Sequence, residues 1–190
     1  NGGIGLSWNV TKEKFLSEVN WLTFLKLRVS YGTTGNSRIG SYRSKGLYSY
    51  RENTGYNGLS YATPHDAPNP NLAWETNKKF NAGFDINILK RFNLSFEYFY
   101  DNIQDMISTR NVPEETGYSN VQINSSSMYN KGVEMAIKIK LIKSQKIKWN
   151  VNFNIATLEN KVTSVIGFGD TYSTSSKALA LKENQSTSAI

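Results

Sequence analysis

The 190-residue sequence contains no cysteine, which removes disulfide scaffolds, thiolate metal sites and cysteine nucleophiles together. It has one histidine, His65. Nothing around it marks a nucleophile with a partnered base, and no further ligands accompany it at metal-site spacing. His65 and the adjoining Asp66 are therefore read as ordinary loop residues. Gly167-Phe168-Gly169-Asp170 is not a phosphate loop, because no Gly-Lys-Ser/Thr follows. An enzyme is not expected, and neither are catalytic, metal or cofactor-binding residues. Long hydrophobic runs are also missing: none approaches the roughly 18 consecutive apolar residues of a spanning helix, which excludes a helical membrane protein. The chain opens Asn1-Gly2-Gly3 with no basic or apolar leader, so an export signal is expected either to have been removed or to lie upstream. No basic block occurs. The formal charge of +7 is spread over many Lys and Arg residues, which argues for solvated strand and turn positions and against a nucleic-acid surface. Asn9-Val10-Thr11, Asn93-Leu94-Ser95 and Asn124-Ser125-Ser126 match the glycosylation pattern but are read as accidental.

What is present is aromatic and alternating. The apolar fraction is 38% with 13% aromatics and the mean hydropathy is -0.48, a mixture that suits β-structure with one greasy and one wet face. Asn81-Ala82-Gly83-Phe84-Asp85-Ile86-Asn87-Ile88 alternates without a break, and Phe92-Asn93-Leu94-Ser95-Phe96-Glu97-Tyr98 continues the pattern beyond Leu89-Lys90-Arg91. Leu25 to Gly32, Val133 to Leu141 and Trp149 to Ile155 repeat it, and a weaker run lies near Ile4 to Val10. About six long strands are thus expected. A soluble sandwich would turn the apolar face to a core. A membrane barrel would turn it to lipid. Periodicity alone leaves both open.

Connection lengths favour the barrel. The tighter ones lie near Thr11 to Trp21, Leu89 to Arg91 and Ile142 to Ile147; the longer ones span 35–72, 108–127 and 167 onward. Outer-membrane barrels alternate short periplasmic turns with long extracellular loops in this way. On this reading Trp21 and Trp149 fall near the periplasmic interface, and Trp74 and Tyr100 near the outer one.

The run Leu25-Lys26-Leu27-Arg28-Val29-Ser30-Tyr31-Gly32-Thr33-Thr34-Gly35-Asn36 closely resembles a signature in the barrel of SusC/RagA-type TonB-dependent transporters. Further matches follow in order: Asn69-Pro70-Asn71-Leu72-Ala73-Trp74-Glu75-Thr76, Asn81-Ala82-Gly83-Phe84-Asp85, Tyr98-Phe99-Tyr100-Asp101 and Gly117-Tyr118. Asn130-Lys131-Gly132-Val133-Glu134, Trp149-Asn150-Val151-Asn152-Phe153-Asn154 and Asn160-Lys161-Val162 complete the series. The resemblance implies an all-β fold: an open antiparallel meander from the C-terminal half of a barrel of about 22 strands. It implies that 1–190 is barrel throughout, with the plug domain and other strands absent, and that 35–72, 108–127 and 167–190 are extracellular loops.

The activity implied is TonB-dependent import of oligosaccharides or peptides across the outer membrane. The implied partners are a SusD-like surface lipoprotein, TonB acting through a region outside this chain, the imported glycan or peptide, and outer-membrane lipid. A self-contained small barrel or soluble β-module acting as an adhesin or ligand-binding protein is the alternative. Gly35 and Asn36 are expected to break a strand into a loop, since both tolerate left-handed backbone. Pro68-Asn69-Pro70-Asn71 should end the long loop and deliver Trp74 into the next strand. Tyr42, Tyr48, Tyr50, Tyr56 and Tyr61 of that loop either stack on substrate rings or simply pack the loop on itself.

Overall fold

The computed structural model describes residues 1–16, 18–36, 40–144, 146–166, 171–174, 179–182 and 186. Among these the chain forms strands and single 3-10 turns, with no α-helix, and no helix long and apolar enough to cross a membrane. The strands are β1 (Gly2–Asn9), β2 (Leu22–Asn36), β3 (Leu47–Arg51), β4 (Tyr61–Ala67) and β5 (Glu75–Ile88). They continue as β6 (Phe92–Asn111), β7 (Asn120–Lys143), β8 (Lys148–Val165), β9 (Thr171–Thr174) and β10 (Leu179–Lys182). The main sheet runs β1-β2-β5-β6-β7, with β8 and β4 both pairing β7, and β3 pairing β4. It is open: β1 and β8 each have a single neighbour. The six long runs expected from periodicity are β1, β2, β5, β6, β7 and β8.

Two differences from the expected meander stand out. The segment 35–72 contains its own hairpin, β3–β4, and β4 meets β7 in parallel at Asp66↔Asn120 and Ala67↔Val121. In addition, β6 and β7 extend into 108–127 and leave only 112–119 unpaired as strand. The polar residues there do not break the ladder, because a strand edge asks only for extended backbone and a partner. The expected loop 167–190 lies largely outside the described residues.

The chain divides into two compact units. The first comprises Asn1–Thr34, Lys78–Asn102 and Tyr129–Asn160; the second comprises Gly35–Asn77, Ile103–Met128 and Lys161–Ile190.

In the first unit the connections are tight. Arg91 N donates to Ile88 O at 3.0 Å, and Leu89 and Lys90 both take positive φ (53° and 55°). This is the two-residue turn whose twist suits a hairpin, built without the glycine or asparagine that usually supplies it. Leu89 N also donates to Trp21 O and Lys140 N to Arg91 O, which brings the ends of β2, β5, β6 and β7 together and makes their pairing antiparallel.

Among the described residues the buried hydrophobic ones are Val10, Leu22, Met128 and Val162. Much of the apolar face of the sheet is exposed. Ile4, Leu6 and Trp8 of β1 stand opposite Tyr31, Val29 and Leu27 of β2, and all six are 39–70% exposed. Their polar neighbours Lys26, Arg28 and Ser30 are half-buried. The same face carries a stacked Phe84–Phe96 pair with centroids 5.5 Å apart, Phe80 edge-on to Tyr98, and Tyr100 stacked on Tyr129 at 5.8 Å. On β8, Trp149, Val151, Phe153 and Ile155 share one face and are exposed, as are the polar residues between them. On β7 Glu134, Lys138 and Lys140 are exposed between half-buried apolar residues. The β1–β2 side of the sheet, where the apolar side chains are exposed and Lys26, Arg28 and Ser30 half-buried, is inverted relative to a water-soluble sandwich.

Candidate functional site: the polar face and the rim

The polar face of the first unit is organised around Arg28. Its Nη1 meets Asp85 Oδ2 at 2.8 Å, and its Nη2 meets Glu97 Oε2 at 2.9 Å. One guanidinium thus joins β2, β5 and β6, which its fork of donors allows and an ammonium would not. The crossing needs room over β5, and Gly83 provides it: a Cβ there would stand 2.5 Å from Phe96 O and 3.3 Å from Arg28 Nε. Ser95 Oγ donates to Asp85 Oδ1 at 2.6 Å, Asn87 Nδ2 donates to Asn93 Oδ1, and Lys79 Nζ lies 3.8 Å from Asp101. The motif residues Arg28, Gly83 and Asp85 are therefore one device read from three separated stretches of sequence. Gly132 makes the same kind of allowance on β7, where a Cβ would collide with the Thr157 carbonyl and stand 2.7 Å from the Phe99 ring.

The remaining motif residues of this unit divide by face. Leu25, Leu27, Tyr31, Tyr100 and Trp149 alternate with Lys26, Gly32, Asn130, Glu134 and Asn154. Between β7 and β8, Tyr129 Oη donates to Glu159 Oε1 at 2.8 Å, and Lys131 Nζ lies 3.3 Å from the same oxygen.

In the second unit the motifs meet at a rim. Asn36 Nδ2 donates to Glu75 Oε2 at 2.7 Å, and Ile107 N donates to Glu75 Oε1 at 2.9 Å. Asp105, two residues before Ile107, has φ of 57° within the continuous strand β6. Asn124 Nδ2 donates to both Ala73 O and Asp105 O, while its Oδ1 accepts from Ala73 N. Asn69 Nδ2 donates to Gln122 O at 2.7 Å, and Leu72 N donates to Asn69 O. Pro70 sits inside that turn, and Trp74, 65% exposed, immediately precedes β5. Gly35 and Asn36 are the last residues of β2, where the strand was expected to end, but neither takes left-handed backbone, and Asn36 works through its side chain. Asn124, whose match to the glycosylation pattern was read as accidental, is a clamp on two backbone segments.

His65 and Asp66 also differ from the loop residues expected. Asp66 is 3% exposed; its carboxylate pairs with Arg43 Nη1 and with His65 Nδ1 at 2.7 Å. Gly46, with φ of 83°, lets the Asp66 carbonyl and Pro68 approach, since a Cβ would come within 3.0 Å of that oxygen. The cluster ties the base of the β3–β4 hairpin down.

Of the loop tyrosines, the structure unites some and separates others. Tyr48 and Tyr50 alternate on β3 opposite Pro64 and Ala62, with 63% and 66% exposure. Tyr118, matched in sequence only as part of Gly117-Tyr118 and not counted among the loop tyrosines, hydrogen-bonds Tyr48, which pushes its phenol above the usual value of 10.0. Tyr61 pairs with Arg51, on the alternate register of the hairpin. Tyr42 precedes a 3-10 turn in left-handed backbone with Lys45 over its ring, and Tyr56 stands 94% exposed in another turn. No group of acidic, histidine or cysteine residues suited to a metal occurs among the described residues.

An open antiparallel sheet with an exposed aromatic face and an ion-paired polar face is the wall of a transmembrane β-barrel. The chain belongs to the family of TonB dependent receptor-like β-barrels, whose model matches residues 1–185. It is 35% identical over 162 residues to the TonB-dependent receptor P39 of Formosa agariphila, covering 84% of this chain and 15% of that protein. To the TonB-dependent receptor SusC of Bacteroides thetaiotaomicron it is 30% identical over 175 residues, covering 88% and 17%. The RagAB peptide importer in its open-open state superposes with a TM-score of 0.80 at 25% identity, over 95% of this chain and 20% of that one. The chain thus spans a fifth or less of these relatives.

Proposed function

We propose that this chain is part of the barrel wall and outer loops of an outer-membrane importer driven through TonB. The observation that carries the reading is the inverted sheet: Ile4, Leu6, Trp8, Leu27, Val29 and Tyr31 exposed on one face, and Arg28, Asp85 and Glu97 paired on the other. Membership of the receptor family supports it. The imported solute is an oligosaccharide or peptide, taken up with a SusD-like surface lipoprotein; SusC and the RagAB peptide importer are the relatives that suggest this. Segments 35–72, 108–127 and 167–190 form the extracellular side. Tyr48 and Tyr50 offer a flat aromatic surface there, backed by Ala62 and Pro64, which suits stacking against a sugar ring or a peptide side chain.

The test uses the full-length protein in cells, with uptake of labelled oligosaccharides and peptides measured with and without TonB. Import of one class that stops without TonB is expected. Replacing Tyr48 and Tyr50 by Ala should lower that import about tenfold, from about 0.7 kcal/mol per ring. Uptake indifferent to TonB would refute the importer.

A further inference from the structure

Charge on this chain is sorted by position in a way that the linear sequence hides. The segments of the second unit balance to zero, so the whole formal charge of +7 belongs to the first. Within its sheet, cations away from the turns are matched by carboxylates, as at Arg28 with Asp85 and Glu97, Lys79 with Asp101, and Lys131 with Glu159. The excess therefore falls at the end that carries the short connections. The first connection holds Lys12 and Lys14, the second Lys90 and Arg91, and the third Lys146. Lys138, Lys140 and Lys148 lie just behind them, and only Glu13 and Glu18 oppose. Backbone bonds from Leu89 to Trp21 and from Lys140 to Arg91 hold these strand ends together.

The same connections expose large apolar groups: Phe15, Trp21, Leu89, Ile147 and Trp149 are each more than half exposed. Cations on flexible stems beside exposed tryptophan and aliphatic side chains are the chemistry of a membrane interface, where rings sit among headgroups and ammonium groups reach phosphates. A cation cluster facing only water would have no use for the apolar groups, and one facing a zwitterionic surface would gain little from seven unbalanced charges.

We propose that the short-turn end of this sheet binds the headgroups of anionic glycerophospholipids in the leaflet it faces. This rests on the reading that the strands cross a bilayer. Lys138, Lys140 and Lys148 alternate onto the polar face of the sheet with Glu134 and Asn150, so the lipid contact belongs to the five cations of the connections, Lys12, Lys14, Lys90, Arg91 and Lys146.

The experiment reconstitutes the full-length protein in phosphatidylcholine and measures by electron paramagnetic resonance the relative association of spin-labelled phosphatidylglycerol and phosphatidylcholine. Each interfacial cation adds about fivefold to anionic-lipid association at low salt; with mutual screening, a preference of at least tenfold is expected, shrinking as salt rises. K90Q/R91Q and K12Q/K14Q should each lose part of it, and the variant with all five connection cations changed to Gln nearly all. K138Q/K140Q/K148Q should keep it. Immobilised lipid with no preference, or a preference that survives the fivefold change or falls equally in the polar-face triple, overturns the proposal and leaves the membrane reading standing. If neither lipid is immobilised, the membrane reading itself fails.

Discussion

Neighbouring positions on β2 should respond in opposite ways to the same substitution. Val29 lies on the apolar face between Leu27 and Tyr31, opposite Leu6, and is 40% exposed. Ser30, one residue on, turns to the polar face beside Gly5, Gly83 and Glu97, which line a recess of about 360 Å³. If the apolar face meets lipid, Val29→Arg places a guanidinium in hydrocarbon at a cost of about 2–4 kcal/mol near the bilayer midplane. That lowers the folded-to-unfolded ratio roughly 30- to 700-fold, at 1.4 kcal/mol per factor of ten. Ser30→Arg enters a wet recess already facing the Glu97 carboxylate, so its effect should stay within about 1 kcal/mol. The assay is urea unfolding of the full-length protein in lipid vesicles, followed by the electrophoretic mobility of the folded form. A water-facing apolar surface would instead tolerate Val29→Arg to within about 0.5 kcal/mol. Equal tolerance of the two substitutions, or greater damage from Ser30→Arg, would refute the assignment of the faces.

The other expectations concern single contacts. Arg28→Met should cost about 1 kcal/mol after solvent screening, with the loss smaller at high salt, and Arg28→Lys should recover only part of it because one ammonium cannot serve Asp85 and Glu97 together; urea midpoints at two salt concentrations check this. Gly132→Ala should destabilise by about 1–3 kcal/mol, since the new methyl meets the Thr157 carbonyl and the Phe99 ring; a midpoint unchanged from wild type would contradict the packing described. Glu75→Ala leaves Ile107 N and Asn36 Nδ2 without their acceptor, so amide exchange at Ile107 should quicken about tenfold, from a net hydrogen bond of about 1 kcal/mol or slightly more. Glu75→Gln, which keeps one acceptor, should show a smaller change.

Long strands were legible in the sequence because a period of two repeats independently in each run. Leu25 to Gly32 and Asn81 to Ile88 needed no partner to be recognised. Which face is turned to lipid is not legible, since the alternation of Leu27, Val29 and Tyr31 with Lys26, Arg28 and Ser30 is the same in a sandwich and in a barrel. Exposure on β1 and β2 favours the apolar face, and exposure is a property of the assembled sheet. The Leu89-Lys90 turn was found by position alone, as its residues carry no turn signal.

Side-chain clamps were harder to see. Asn36 and Glu75 lie far apart in sequence, as do Asn124 and Ala73, and each pair meets only through the pairing of the strands that carry it. Asp66 looked like a loop carboxylate because nothing local announces that Arg43 will reach it. The charge excess at the short turns was hidden for a related reason. Lys12, Lys90 and Lys146 are remote from one another along the chain, and only the hairpin topology places them at one end.

The account stands or falls on whether this sheet crosses a bilayer with its apolar face outward. Single cysteines placed in turn at 149–155 of β8 in the full-length protein, spin-labelled and reconstituted in lipid, measure that directly through their accessibility to oxygen, which concentrates in hydrocarbon, and to a polar nickel complex, which stays in water. Oxygen accessibility should peak at positions 149, 151, 153 and 155, with nickel accessibility higher at 150, 152 and 154. Nickel accessibility that is uniformly high, or highest at the odd positions, would contradict the account and return the apolar face to water or to a protein partner.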